Sequence, residues 1–258
     1  MTIPRIYHPR ALETDRSLEL GEEDRRYLKT VLRLKEGDRL VVFDGRGSEY
    51  GTRIEEWGEH SVSLAVLDRQ HVDFPGRKIT LAQSLPKGTK MDFIIQKATE
   101  LGVSRIVPFV SSRSIPRLTN EKAAARHKRW RRIAIEAAKQ CGRATVPELS
   151  ELSGFEDMLD LSGKDSPGII LWEGEISRGL KAVLTEATER EKGDFFFIVG
   201  PEGGFSWQEI ETARLKGFTT ASLGRNILRT ETASLVILSI LQYELGAIGD
   251  IAREEDMA

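Results

Sequence analysis

The sequence predicts an α/β protein in which a small β-rich unit precedes a larger domain built on a largely parallel sheet. Short β-branched or alternating runs separated by glycines dominate residues 1–73, whereas strand-like and helical runs alternate from Ile79 onward. A Pro-Gly pair at 75–76 lies between the two patterns. The chain has 258 residues, enough for two domains. We therefore predict one domain over residues 1–73 and a second over residues 74–258.

The N-terminal unit combines one helix with several short strands. Its strand-like runs cover residues 39–44, 48–56 and 61–67. Gly45 and Gly47 fall between the first two runs and are interpreted as hairpin glycines. A helix is predicted over residues 22–34, because apolar side chains including Val31 recur at helical spacing and Gly37 follows as a stop signal. One helix with three or more short strands indicates a small barrel.

The second domain alternates strands and helices, which is typical of a parallel sheet with helical crossovers. The predicted strands cover residues 79–84, 105–110, 145–149, 168–172, 195–200 and 219–223. The predicted helices cover residues 90–101, 120–141, 177–191, 207–216 and 231–245. Ser206 with Glu209 fits the S-x-x-E capping box, and Thr89 with Asp92 approximates it.

Composition excludes several classes of protein. Hydrophobic residues make up 40% and charged residues 30% of the chain, which excludes a disordered or collagen-like protein. Nowhere do about 18 apolar residues follow one another, and the start is polar and basic, so we expect neither a membrane span nor export. The single Cys141, interpreted as a buried small hydrophobe, allows no internal disulfide and favours a cytoplasmic protein. The four histidines show no metal-ligand spacing, so no metal is expected.

A glycine-rich turn at residues 200–204, Gly-Pro-Glu-Gly-Gly, separates an apolar strand from a capped helix; we name it the PEGG loop. It falls at the carboxyl end of a predicted parallel strand, where open α/β folds bind ligands. Gly203 and Gly204 permit positive φ and leave N–H groups free for a ligand. The alternative is a tight strand-to-helix turn without a ligand.

A second strand-to-helix loop, residues 223–229, contains Arg, Asn and Leu residues and leads into a long apolar helix; we name it the arginine loop. A loop anchored on a rigid helix suits a preorganised site. The alternative is that Thr230 caps the helix while Glu231 favours its N-terminal dipole. The familiar nucleotide-binding signatures are missing: there is no G-x-x-x-x-G-K-[ST] loop, and the glycines at 45, 47 and 51 have the wrong spacing.

Basic residues concentrate on one helix although the formal net charge is -2. Between Asn120 and Arg143 there are eight Lys or Arg residues against two acids, and a smaller basic group lies on the N-terminal helix. This distribution favours a long polyanion as partner, with a merely solvated face as the alternative.

Three segments carry a specific resemblance. RIAIEAAKQCGR at 132–143, FIVGPEGGFSWQEIE at 197–211 and LGRNILRTETASL at 223–235 follow the small N-terminal unit. In this combination the chain resembles the bacterial RsmE family. The resemblance extends over nearly the whole chain, with the departure that Tyr27 stands where the family pattern has a histidine. That family consists of S-adenosylmethionine-dependent SPOUT enzymes that methylate a uridine at N3 in small-subunit (16S) ribosomal RNA.

The resemblance implies an N-terminal PUA-like β-barrel that binds RNA, followed by a SPOUT α/β domain with a C-terminal trefoil knot. It further implies a homodimer with ribosomal RNA as partner and S-adenosyl-L-methionine as cofactor. The residues expected to bind the cofactor are Leu171, Trp172, Glu173, Gly200, Glu202, Gly203, Gly204, Leu223, Gly224, Ile227, Leu228 and Thr230. The arginines expected to contact RNA are Arg5, Arg10, Arg25, Arg33, Arg113, Arg129, Arg132 and Arg143.

Arg229 and Glu202 are the expected catalytic residues. Uridine N3 bears a proton in the neutral base, so Arg229 could stabilise the negative charge on the uracil oxygens, while Glu202 could orient the loop or accept a proton. The alternative for Arg229 is an ion pair with Glu231 or with an RNA phosphate. Two other functions stay open from the residues alone, namely another SPOUT RNA methyltransferase acting on a ribose 2′-hydroxyl and a noncatalytic RNA-binding assembly factor.

Overall fold

The computed structural model describes residues 3–9, 17–72, 77–114, 119–163, 166, 168–189 and 193–249. By contacts between residues, the chain divides into two compact units. The first comprises Met1–Pro75 and Ile135–Val146, and the second comprises Gly76–Ala134 and Pro147–Ala258. Of the predicted boundary segment, residues 73–76 lie outside the described residues, and the boundary at 73/74 stays a prediction.

In the described part of the chain, the first unit contains a five-stranded sheet. Its strands are β1 (Arg5–Tyr7), β2 (Ser17–Leu20), β3 (Arg39–Phe43), β4 (Ser48–Trp57) and β5 (Val62–His71). Hydrogen bonds join them in the order β1-β3-β4-β5-β2, parallel only between β1 and β3. Gly45 and Gly47 have φ values of 77° and 110° in the β3–β4 turn, as expected for hairpin glycines. The strands β1 and β2 were not predicted, because three or four residues are too few to show a period of two.

The helix of the first unit differs from the prediction. It begins as α1 (Glu22–Arg26) and continues as a π-helical turn over Tyr27–Val31. A π turn holds more residues than an α turn and so rotates the side chains that follow it. Leu28 is fully buried, whereas Val31, predicted on the same apolar face, is 63% exposed.

The second unit is built on a parallel sheet. Its strands are β6 (Ile79–Ser84), β7 (Arg105–Val110), β8 (Glu148–Leu149), β9 (Ser153–Gly154), β10 (Gly168–Leu171), β11 (Phe195–Val199) and β12 (Thr219–Ala221). The order is β12-β10-β11-β6-β7-β8, with β9 also paired to β7. All these pairings are parallel, which confirms the predicted α/β class for this unit.

Within the described residues, five long helices and one short helix accompany this sheet, although the end of α3 from Ile135 onward is grouped with the first unit. They are α2 (Lys90–Glu100), α3 (Asn120–Cys141), α4 (Phe155–Leu159), α5 (Leu180–Glu189), α6 (Trp207–Leu215) and α7 (Thr230–Glu244). The predicted helices are confirmed with small shifts at their ends; the last two residues of the predicted helix 177–191 lie outside the described residues. The short elements β9 and α4 were not predicted.

The burial of strand β11 shows that the sheet forms the core of this unit. All five of its residues, FFFIV, are buried, because β10 and β6 pair with its two edges and helices cover its faces. A strand buried on both faces is a continuous apolar run rather than an alternating one. The aromatic rings of Phe109 and Phe205 stack beside it with centroids 6.5 Å apart.

Local predictions were confirmed at some helix ends and wrong at others. Ser206 and Glu209 form the complete capping box at the start of α6. Thr89 makes no side-chain cap at the start of α2, and the carboxylate of Asp92 instead accepts hydrogen bonds from Arg129 and Trp130. Cys141 is exposed rather than buried, because it lies in the last turn of α3. Among the described residues, no helix is long and apolar enough to cross a membrane.

Candidate active site

A pocket of about 450 Å³ opens at the carboxyl ends of three adjacent strands, β12, β10 and β11. Because the strands are parallel, the segments that follow them meet at one edge of the sheet. These segments are residues 171–173 after β10, the PEGG loop after β11, and residues 222–230 after β12. We name residues 171–173 the tryptophan segment.

Every residue predicted to bind the cofactor lines this pocket, as do both predicted catalytic residues. Six further residues line the pocket without having been predicted from the sequence. They are Val199, Pro201, Ser222, Arg225, Asn226 and Ala233. The first five belong to or border a segment that already held predicted residues, whereas Ala233 lies one turn after Thr230 on α7. The roles of all these residues stay predictions, but the structure brings them together.

The PEGG loop forms a tight turn. Of its last two glycines, only Gly204 has a backbone conformation that favours glycine. The amide of Gly204 donates to the carbonyl of Pro201 over 3.0 Å, and Gly204 has a φ of 66°. Gly203 is not among the residues with positive φ, so the prediction of left-handed freedom is confirmed for Gly204 and wrong for Gly203. At Gly200 a Cβ would lie 2.9 Å from the ring of Phe205, so the backbone can approach this ring closely only because residue 200 has no side chain.

Side chains from other elements fix the PEGG loop. Glu202 accepts hydrogen bonds from Lys90 Nζ at 2.9 Å and from the backbone N–H of Lys87 at 3.2 Å. Burial alone would raise the pKa of Glu202, but the hydrogen bonds and the charge of Lys90 outweigh it and lower that pKa. Arg113 Nη1 donates to the carbonyl of Gly203 over 3.0 Å. Glu202 is therefore an ionised carboxylate whose oxygens already accept hydrogen bonds from the protein.

A buried polar network joins the PEGG loop to α7. The hydroxyl of Thr230 donates to the carbonyl of Gly200 at 2.6 Å and accepts from Nε2 of the fully buried Gln83 at 2.9 Å. Ser234 donates to the other side of the same amide. The N-cap residue of α7 is Arg229, without a side-chain cap, so capping by Thr230 is not what the structure shows. Thr230 instead fixes the distance between the two loops.

The tryptophan segment is held by the glutamate that follows it. Glu175 accepts from the backbone and hydroxyl of Ser177, from the backbone of Arg178, from the hydroxyl of Thr220 at 2.6 Å and from Arg214 at 3.4 Å. Hydrogen bonds from the Ser177 and Thr220 hydroxyls, the largest causes, lower the pKa of Glu175 to about 2. This buried carboxylate thus joins the segment after β10 to β12 and α6.

The side chain of Arg229 is exposed at the pocket, and its guanidinium forms no hydrogen bond or ion pair within the described residues. The alternative of an ion pair with Glu231 is wrong, because Glu231 lies 3.2 Å from Lys90 Nζ. Its guanidinium is consequently available to a ligand. The carboxylate of Glu173, which lies beside Gly204 of the PEGG loop, also has no hydrogen bond or ion pair in the described part of the chain.

Two of the arginines predicted to contact RNA are engaged inside the first unit. Arg5 forms an ion pair with Glu49 and donates to the carbonyl of Arg143. Arg143 donates to the hydroxyl of Thr145 at 3.0 Å, and burial lowers its pKa. Both side chains hold the fold of this unit. Arg10 lies outside the described residues.

Two others lie on or beside the helix of the first unit. Arg25 Nε donates to the carbonyl of Gly58 at 2.8 Å. Arg33 is exposed and adopts a φ of 56°, the only positive value among the described residues other than glycine. Arg33 lies two residues after the π turn, and this conformation is strained for a residue other than glycine.

The remaining three arginines that were predicted to contact RNA belong to the second unit. Arg113 borders the pocket through its bond to Gly203. Arg129 pairs with Asp92, whereas Arg132, three residues later on α3, is exposed and has no ion pair with a described residue. Of these two arginines on the basic helix, one guanidinium is paired and the other has no ion pair with a described residue. In the described ranges no group of three His, Cys, Asp or Glu side chains could hold a metal ion.

Comparison with known proteins places the chain. The family described as the RNA methyltransferase domain matches residues 73–242, and the RNA methyltransferase PUA domain matches residues 20–67. Ribosomal RNA small subunit methyltransferase E of Bacillus subtilis is 32% identical over 237 residues, which cover 90% of this chain and 92% of that protein. The chain belongs to the ribosomal RNA small subunit methyltransferase E family. The resemblance inferred from the motifs is thereby confirmed, and the first unit contains a PUA-like domain.

Solved structures of relatives agree in fold. Ribosomal RNA small subunit methyltransferase E from Neisseria gonorrhoeae, bound to S-adenosyl methionine, has a TM-score of 0.80 and 33% identity, covering 95% of this chain and 98% of its own. A putative methyltransferase from Legionella pneumophila, in complex with the same cofactor, has a TM-score of 0.80 and 31% identity, covering 95% of this chain and 98% of its own.

Proposed function

We propose that this protein transfers the methyl group of S-adenosylmethionine to N3 of a uridine in small-subunit ribosomal RNA. The observation that supports this most is the assembly of three separate segments into one pocket at the carboxyl ends of β10, β11 and β12. Two solved relatives with bound S-adenosylmethionine support the cofactor, and the names of the relatives support the RNA.

The residues that line the pocket fit this cofactor chemically. Leu171, Ile227 and Leu228 offer apolar side chains to an adenine ring, and the turn of the PEGG loop offers backbone amides to polar groups. The carboxylate of Glu173, without a partner in the described residues, complements a ligand that carries a sulfonium and an ammonium charge. The cofactor supplies an electrophilic methyl group; the protein contributes orientation and exclusion of water.

Arg229 is the group best placed to act on the base. Once N3 releases its proton to solvent water, negative charge spreads to the uracil oxygens, and an arginine whose side chain has no competing partner among the described residues can stabilise that charge. Glu202 is less suited to accept the proton, because its lowered pKa and its bonds to Lys90 and Lys87 make it a weak base. We assign Glu202 to the orientation of the PEGG loop.

The family resemblance also supports three finer features. We infer that residues 1–73 bind RNA and residues 74–258 transfer the methyl group, that the C-terminal part of the chain forms a trefoil knot, and that the active form is a homodimer. Light scattering coupled to size-exclusion chromatography tests the last point, with a mass twice the monomer's 28.9 kDa as the expected result.

The deciding experiment is methylation of small-subunit ribosomal RNA or subunits from a strain that lacks the enzyme. After incubation with S-adenosylmethionine, nucleosides are digested and separated by mass spectrometry. We expect N3-methyluridine. A ribose 2′-O-methylated nucleoside would instead assign a different reaction to the pocket, and RNA binding without cofactor binding would indicate an assembly factor.

A further inference from the structure

Lys90, the first residue of α2, lies between two carboxylates from distant parts of the chain. Its Nζ is 2.9 Å from Glu202 Oε1 and 3.2 Å from Glu231 Oε2. The side chain of Lys90 is 33% exposed, and those of Glu202 and Glu231 are 26% and 18% exposed. All three groups are thus partly shielded from water, where ion pairs are screened less than on an open surface.

The two carboxylates belong to the PEGG loop and to the helix that follows the arginine loop. Glu202 lies in the PEGG loop, and Glu231 lies in the first turn of α7, two residues after Arg229. The backbone N–H of Lys87, three residues before α2, also donates to Glu202. Lys90 itself does not line the pocket. One ammonium group therefore connects the PEGG loop with the start of α7 from outside the pocket.

Removal of this ammonium group would change the forces between the loops. Glu231 Oε2 is buried, and no hydrogen bond from a described residue is directed at it, so Lys90 supplies its compensating charge. Without Lys90, two carboxylates that now share one cation would repel each other. The repulsion would act directly between the PEGG loop and the start of α7.

We propose that Lys90 is a positioning residue that holds the PEGG loop and the start of α7 at the separation required for cofactor binding and methyl transfer. This inference rests on the proposed function of the pocket. The hydrogen bond from the Thr230 hydroxyl to the carbonyl of Gly200, supported by the buried Gln83, joins the same two segments from the interior. Lys90 joins them on the more exposed side.

Lys90→Met tests the proposal against a matched control on the same helix. Lys97 forms an ion pair with Glu100 at 2.8 Å and is 35% exposed, but it contacts neither loop through that pair. By calorimetry, Lys90→Met should bind S-adenosylmethionine about five- to tenfold more weakly than the wild type, whereas Lys97→Met should stay within about twofold. Lys90→Arg should recover most of the affinity, since it keeps the charge.

Two further measurements separate positioning from general destabilisation. In Lys90→Met, amide hydrogen exchange without cofactor should accelerate in residues 200–204 and 223–231 but not in β6 or β11. Replacing Glu231 by Gln in the same variant should restore part of the affinity, because it removes the repulsion. Equal affinities and equal loop exchange in Lys90→Met and Lys97→Met would overturn the proposal. A wild type that does not bind the cofactor would refute the proposed function, and loop exchange would still decide the role of Lys90.

Discussion

The PEGG loop and the arginine loop face the same pocket but differ in how the protein holds them. In the PEGG loop, Gly200, Glu202 and Gly203 each accept a hydrogen bond from a side chain of another element. In the arginine loop, the backbone of Gly224 bonds to nearby Ser222, while the side chains of residues 225–227 are exposed. Ile227 is 85% exposed.

This difference indicates that the two loops have different roles in the pocket. The groups of the PEGG loop are already committed to the protein, so the loop is preorganised and needs little rearrangement when a ligand binds. The arginine loop keeps its polar and apolar side chains uncommitted within the described structure, so they remain available to cofactor, RNA or a second subunit. We call a group that has a partner inside the protein committed and a group without one uncommitted. Committed groups should affect the free energy of unfolding and the affinity for ligands. Uncommitted groups should affect the methylation rate and the recognition of RNA.

The largest effect is expected for the uncommitted Arg229. If it stabilises charge on the uracil, Arg229→Ala should lower the single-turnover methylation rate by about two to three orders of magnitude, with little change in cofactor or RNA affinity. Such a pattern identifies an interaction made in the transition state. The rate is measured at saturating cofactor and RNA.

Two comparison variants sharpen this result. Arg229→Lys should recover only part of the rate, since a point charge lacks the planar fork of a guanidinium. Arg225→Ala removes an exposed arginine four residues earlier in the same loop and should cost much less. Equal losses in Arg225→Ala and Arg229→Ala would show that the overall charge of the loop matters rather than the position of Arg229.

Glu175 tests the committed side of the comparison. Glu175→Gln replaces a buried carboxylate that accepts five hydrogen bonds, and it should reduce the free energy of unfolding by about 2 kcal/mol at pH 7. Glu211→Gln is the control, because Glu211 also pairs with Arg214 but is 45% exposed. Urea unfolding of both variants decides the point, and a loss as large in Glu211→Gln would contradict it.

The same carboxylate makes stability depend on pH. Its pKa falls from 4.5 to about 2 on folding, so the unfolded chain binds the proton more readily than the folded protein. The contribution of Glu175 is therefore complete above about pH 5 and decreases as the pH falls from 4.5 toward 2. The difference in stability between the wild type and Glu175→Gln should shrink over that range. A constant difference would exclude this linkage.

A smaller effect is expected within the PEGG loop. Gly204→Ala forces a side chain into a left-handed conformation and places its Cβ against the carboxylate of Glu173, so it should weaken cofactor binding about fivefold. Gly203→Ala requires only that a new Cβ fit 3.3 Å from Cβ of Arg113, and should cost less. Calorimetry on both variants gives the ranking. The reverse ranking would mean that contact with Arg113 limits this loop more than backbone strain and the contact with Glu173 do together.

The residues that line the pocket could be predicted from the sequence better than the contacts that hold those residues in place. The pocket segments are recognisable because glycines, prolines and strand ends are local signals, and each segment follows an apolar run. The supporting contacts are not local: Lys90 and Glu202 are 112 residues apart, and Gln83 and Thr230 are 147 apart. Those pairings depend on β6 lying next to β11, which no local pattern determines.

The errors in local prediction have the same origin. Asp92 fits a capping pattern, but Arg129 and Trp130 of α3 compete for its carboxylate. Thr230 fits a cap as well, yet its hydroxyl donates a hydrogen bond to the carbonyl of Gly200. Where a tertiary partner offers a stronger bond than the local backbone, the propensity of the residue no longer decides its role.

The smallest effect concerns α3, where Arg129 and Arg132 repeat the contrast between committed and uncommitted groups. The charge of Arg129 is already partly neutralised by Asp92, whereas Arg132 has no ion pair among the described residues. Removal of a contact to an RNA phosphate lowers affinity and reduces the number of counterions released. Arg132→Ala should therefore weaken RNA binding several-fold and reduce the salt slope by about 0.7–0.9, whereas Arg129→Ala should change both less.

Filter binding of the small-subunit RNA at several salt concentrations measures both quantities. Arg129→Ala also frees the carboxylate of Asp92, whose negative charge would then repel RNA, so Arg129→Ala with Asp92→Asn is the cleaner comparison. If that double variant retains the wild-type slope while Arg132→Ala does not, the uncommitted guanidinium is the one that contacts phosphate. Unchanged slopes in all three variants would mean that this stretch of α3 is only a solvated face.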